Sequence, residues 1–177
     1  GRKYIDETKW ARSSKPFFID KMPNNFVHIG LIKLILPRAK IIDARRNPMD
    51  ACFSCFKQYF AKGQHFTYDL DDIARYYKDY IRLMDYWKKL FPNEIFTINY
   101  EDIINNPNDR IEDLLDFCNV EFEENCLNFH QSKRPVKTAS SEQVRQPMYK
   151  SGLDYWKNYA NHLETLIKHF PDSYKTT

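Results

Sequence analysis

The stretch KIIDARRNPMDACFSCFKQYF, Lys40 to Phe60, constrains this chain more than any other. Ile41 and Ile42 supply a short buried strand, Arg45 and Arg46 charge at its end, and Asn47-Pro48 a turn. The residues that follow carry helical spacing, with Asp50 as the expected N-cap. A strand that runs through a basic turn into a helix N-terminus makes an anion site, because exposed backbone N–H groups and the helix dipole both favour a phosphate. Arg46 and Ser54 lie eight residues apart across the turn. If the helix folds back over the strand, a guanidinium and a hydroxyl converge on one oxyanion. Side-chain alternation turns Arg45 the other way, toward a structural role.

Similar reading along the chain gives strands alternating with helices. A short strand is expected at Phe17–Ile19, a helix at Asn25–Leu36 stopped by Pro37, the strand Lys40–Asp43 and the helix Asp50–Tyr59. A long amphipathic helix follows at Asp69–Leu90, with an aromatic-rich face read as core, then a third strand at Glu94–Asn99. Helices are expected near Arg110–Cys118, Glu124–His130 and Gly152–Phe170. This order calls for an α/β fold, with a parallel sheet flanked by helices and ligands at the carboxyl ends of the strands. Residues 1–15 read as a peripheral arm, 16–170 as one domain and 131–151 as a long polar functional loop.

With 177 residues, a single domain burying about 70% of its unfolded surface is feasible. A net charge of +3, with Lys and Arg scattered, gives no footprint for nucleic acid. The sequence contains no apolar run of membrane-spanning length. Cys52 and Cys55 have C-x-x-C spacing, but no second pair completes a zinc tetrahedron, so they read as reduced packing residues and no metal is expected. Reduced thiols point to a cytoplasmic setting. The five histidines have no ligand-like spacing, and His28 is the one considered as a base.

Four segments carry a family resemblance. Arg46-Asn47-Pro48 with Ser54 resembles the 3′-phosphate-binding segment of sulfotransferases that use phosphoadenosine phosphosulfate (PAPS). Phe18-Ile19-Asp20-Lys21-Met22-Pro23-Asn24 resembles the "DK-x-P" strand end of protein-tyrosine sulfotransferases and of bacterial sulfotransferases with tetratricopeptide repeats. Asn99-Tyr100-Glu101-Asp102 resembles the family's "YEDL". Ser140 to Pro147, with Trp156 nine residues beyond the proline, resembles its late nucleotide-covering loop.

The resemblance implies a P-loop-NTPase-like sulfotransferase fold, a PAPS donor with PAP as product, and a hydroxyl acceptor on a protein tyrosine or a carbohydrate. It implies catalytic roles for Lys21 and Ser140, which would meet the transferring group. Arg46 and Ser54 would hold the 3′-phosphate, and Tyr100 would reach the adenine. Gln146, Tyr149 and Lys150 would lie over the nucleotide. Gln146 departs from the lysine of the tyrosine enzymes, a charge that Arg145 or Lys150 could replace. The glycine-rich P-x-S-G-T-T turn for the 5′-phosphosulfate is not in this sequence. The chain therefore reads as the C-terminal portion of a sulfotransferase domain, lacking its N-terminal strand, with upstream tetratricopeptide repeats possible in a longer protein and weak or no activity alone. The competing reading is a non-catalytic nucleotide-binding or interaction module that keeps the 3′-phosphate half of the pocket.

Overall fold

The computed structural model describes every residue except 13, 61, 133–142, 149, 176 and 177. The fold is α/β, with a two-stranded parallel sheet of β1 (Ile41–Arg45) and β2 (Ile95–Asn99) flanked by helices. The helices are α1 (Arg2–Glu7), α2 (Ile29–Ile35), α3 (Pro48–Lys57), α4 (Leu70–Leu90), α5 (Tyr100–Asn105), α6 (Pro107–Cys118), α7 (Glu164–His169) and α8 (Pro171–Lys175). The chain divides into two compact units, residues 1–41 with 80–95 and residues 42–79 with 96–177.

In the first unit, a 3₁₀ turn at Pro23–His28 runs into α2. Gly30 of α2 faces the ring of Trp87, whose indole N–H donates to the Phe26 carbonyl at 2.9 Å. Phe26 in turn meets Tyr80 edge-on, with ring centroids 5.1 Å apart. Lys33 is buried, yet its ammonium is satisfied: it pairs with Glu94 and donates to the carbonyls of Pro37 (2.7 Å) and Ala39 (3.1 Å). A buried cation needs such partners to offset its lost hydration. The expected strand at Phe17–Ile19 is not formed: the segment is irregular and its three side chains are exposed. β-branched and aromatic residues favour a strand only where another strand offers a ladder, and the described sheet is β1 with β2.

The second unit has the larger core, in which Met49, Cys52 and Phe53 of α3 pack with Ile73 and Ala74 of α4, Trp156, Leu163 and Leu166. The expected last helix is instead a 3₁₀ segment, Tyr155–His162, followed by α7, and Pro171 opens α8 rather than ending the chain's helices. Two 3₁₀ turns, Glu124–Cys126 and Phe129–Gln131, stand where one helix was expected. Asp69 starts α4 by accepting from the amides of Asp71 (2.8 Å) and Asp72 (3.0 Å), which satisfies two of its orphan donors. Asn119 ends α6 in the left-handed conformation, at φ 55°.

Candidate functional site

The site is built where β1 hands the chain to α3. Pro48 occupies the first turn of α3 and the Asn47 side chain caps it, accepting from the Met49 amide at 2.9 Å. Asp50 is therefore not the cap expected from the sequence. It is the third residue of the helix, only 3% exposed, and its carboxylate accepts from the backbone amides of Asp154 (2.8 Å) and Trp156 (3.3 Å). Proline at the first helical position places the cap at Asn47, three residues before Asp50, which is free to reach across the unit.

Arg46 is the residue on which the site turns. Its guanidinium donates to the Gly152 carbonyl, lies 4.0 Å from Asp50 Oδ1, and stands over the Tyr100 ring with 5.2 Å to the centroid. Its Nε–H is buried and has no hydrogen-bond partner among the described residues. Buried donors are nearly always paired, so this N–H is open to a water or an anion; Arg12 Nε is likewise buried without a partner among the described residues. Arg45 turns instead to Asp43, which accepts from its Nε at 2.7 Å and from Thr97 Oγ1 at 3.3 Å.

The peptide group joining Arg46 to Asn47 is held at both edges. Tyr77 of α4 donates its hydroxyl to the Arg46 carbonyl at 2.9 Å, and the Asn47 N–H donates to Glu101 Oε1 of α5 at 2.8 Å. Some of the amides that the sequence offers to an anion at the start of α3 are already engaged. The Asn47 amide is taken by Glu101, Pro48 has none, and the Met49 amide is taken by the Asn47 side chain. Charge at this site comes from the Arg46 side chain.

Burial raises the pKa of Asp50, an effect that the amides of Trp156 and Asp154 and the Arg46 charge only partly offset. Burial likewise pushes the Cys52 thiol up to about 12 and the Tyr77 hydroxyl to about 12, so neither ionises near neutrality. All four cysteines are free thiols.

Of the other sequence candidates, Ser54 is exposed on α3 and makes no hydrogen bond among the described residues. Tyr100 is the candidate brought into contact with Arg46. Gln146 and Lys150 are exposed, next to the 3₁₀ turns Gln143–Arg145 and Lys150–Gly152. Arg145, considered as a substitute charge, donates to the Ser132 carbonyl. Lys21 belongs to the first unit, exposed in the irregular segment before Pro23. Ser140 and Tyr149 lie outside the described residues. The cleft found in the first unit is lined by Ile5, Lys9, Arg12, Lys15, Pro16 and Phe18, without Lys21. Three contributors escaped the sequence reading: Asp50 passed for a cap, Tyr77 fell within the aromatic-rich face read as core, and Glu101 was given no role. Only Glu101 carried a signal, as the acidic residue of the "YEDL"-like segment.

Strand, turn and capped helix define the class: an α/β protein with a half-buried arginine where the first strand hands the chain to a helix. A model of the sulfotransferase family matches residues 2–124, a span that contains Lys21, Arg46, Ser54 and Tyr100. An uncharacterized protein of Aquifex aeolicus (strain VF5) is 36% identical over 176 residues, which is 97% of this chain and 23% of that protein. The chain belongs to the sulfotransferase family. It spans about a quarter of the length of the relative it matches.

Proposed function

We propose that this chain forms the 3′-phosphate and adenine end of a PAPS site and that the protein transfers the sulfuryl group to a hydroxyl acceptor, a protein tyrosine or a carbohydrate. The observation that carries the reading is the orphan Nε–H of Arg46, buried beside the Tyr100 ring at a strand end. PAPS would supply the activated sulfuryl group. Arg46 would meet the 3′-phosphate through Nε and its remaining guanidinium N–H groups, a charge-assisted contact of the kind that planar guanidinium makes with phosphate. Tyr100 offers a π-face to the guanidinium and an aromatic surface for the adenine. Ser54, which makes no hydrogen bond among the described residues, would donate one more. Lys21 and Ser140 are the residues proposed to stabilise charge on the transferring group, as loose in-line transfer requires.

The kinship with tyrosine sulfotransferases and tetratricopeptide-repeat sulfotransferases rests on the segment Asp20-Lys21-Met22-Pro23. The cytoplasmic setting rests on the free thiols. No described helix is long and apolar enough to cross a membrane. A second reading is a binding module without chemistry that keeps the 3′-phosphate half of the pocket.

Isothermal titration with adenosine 3′,5′-bisphosphate tests the donor site. Saturable heat with the unsubstituted chain and its loss, at least tenfold in Kd, in Arg46→Ala is the expected outcome, about the size of a charge-assisted hydrogen bond. Equal affinity in both proteins refutes the assignment.

A further inference from the structure

The carbonyl of Arg46 and the N–H of Asn47 belong to one planar peptide group, so the hydroxyl of Tyr77 and the carboxylate of Glu101 grip its two opposite edges. We propose that Tyr77 and Glu101 are positioning residues for Arg46: together they fix the plane of this peptide, and through it the direction in which the guanidinium leaves the chain. The proposal rests on the reading of Arg46 as the phosphate ligand.

Three features support it. The peptide lies in the irregular link between β1 and α3, so neither a ladder nor a helix holds both of its edges. Its orientation has to come from side chains, and the two that provide it arrive from separate elements, 31 and 54 residues away in the chain. Neither is loosely held. The Tyr77 ring packs edge-on against Phe170, centroids 5.6 Å apart. Glu101 follows Tyr100 directly in α5, so one short helix presents both the ring beneath the guanidinium and the acceptor for the peptide behind it.

Without these two grips the irregular link is free to shift, and the Cα of Arg46, the root of a long and flexible side chain, shifts with it. Small misplacements of a binding group, even when caused from a distance, cost on the order of a hundredfold in enzymes. The donors and acceptors are also chemically matched to the task. Glu101 needs only one oxygen to accept, so a glutamine can replace it; the tyrosine needs its hydroxyl, so phenylalanine cannot.

Titration of adenosine 3′,5′-bisphosphate into the unsubstituted chain, Arg46→Ala, Tyr77→Phe, Glu101→Ala and Glu101→Gln separates the possibilities. Tyr77→Phe and Glu101→Ala should each raise Kd by roughly tenfold, and Glu101→Gln should stay within about threefold of the unsubstituted protein. Tyr77→Phe keeps the ring and its packing, so it reports even if Glu101→Ala does not fold. Loss of binding in Arg46→Ala with unchanged binding in Tyr77→Phe and Glu101→Ala overturns the positioning role and leaves the phosphate assignment intact. A glutamine as damaging as alanine also overturns it, since charge and not peptide orientation would then be at stake. Unchanged binding in Arg46→Ala, or no heat with the unsubstituted chain, removes the phosphate reading and the positioning role with it.

Discussion

Adjacent arginines at the end of β1 have opposite fates, and alternation along a strand is the reason. Arg45 pairs with buried Asp43, while Arg46 turns toward Gly152 and Tyr100. That much was legible from spacing, whereas the role of Asp50 was not. Its neighbours Asp154 and Trp156 come from more than a hundred residues away, and no local pattern announces them. The consequence is a pH dependence of unusual sign. Burial raises the Asp50 pKa, so the folded state holds this proton more tightly than the unfolded chain does. Stability from this group is greatest below the unfolded value of about 3.9 and declines as pH rises through the folded value. Urea unfolding of the protein and of Asp50→Asn across the acid range should show the stability difference moving against the unsubstituted protein as pH rises. A difference that does not change with pH would refute the argument.

Elements are where the sequence spoke most clearly. The switch from β1 to α3 was legible because its signals are local: two isoleucines, an asparagine with a proline behind it, then helical spacing. Long α4 was legible for the same reason, although Asp69, expected as its first residue, stands just outside it and accepts from the Asp71 and Asp72 amides. Phe17–Ile19 was misread because an apolar triplet records strand propensity but not whether a partner strand exists. The final segment was misread because 3₁₀ and α turns share nearly the same apolar spacing over two turns. Gly30 shows tertiary context overruling propensity. In an isolated helix, alanine would gain up to about 1 kcal/mol over glycine. Here a Cβ would stand 2.7 Å from the Trp87 ring, which its indole hydrogen bond holds in place. Overpacking of that kind costs about 1–3 kcal/mol, so Gly30→Ala should be net destabilising in chemical denaturation. A stabilised variant would mean that the ring yields freely.

For the whole molecule, family membership and the α/β class emerge from short segments read in order, but the chemistry depends on groups those segments only name. Lys21 lies in one compact unit and Arg46 in the other. If Lys21 stabilises the transferring group, Lys21→Ala in the protein that carries this chain should lower kcat for sulfate transfer from PAPS about a hundredfold, as loss of an electrostatic contact does. Its affinity for adenosine 3′,5′-bisphosphate should not change. Turnover unaffected by the substitution would refute the catalytic role. What the amino-acid sequence settled by itself is the strand, the helix behind it and the arginine between them, because propensity and alternation act over a few residues, whereas the cap lies at Asn47 and not at the expected Asp50. What only the tertiary structure decided is how that arginine is held and what it lacks. Gly152, Tyr77, Glu101 and Tyr100 converge on it from distant parts of the chain. An unsatisfied donor is a property of a packed environment, which no run of neighbouring residues can specify.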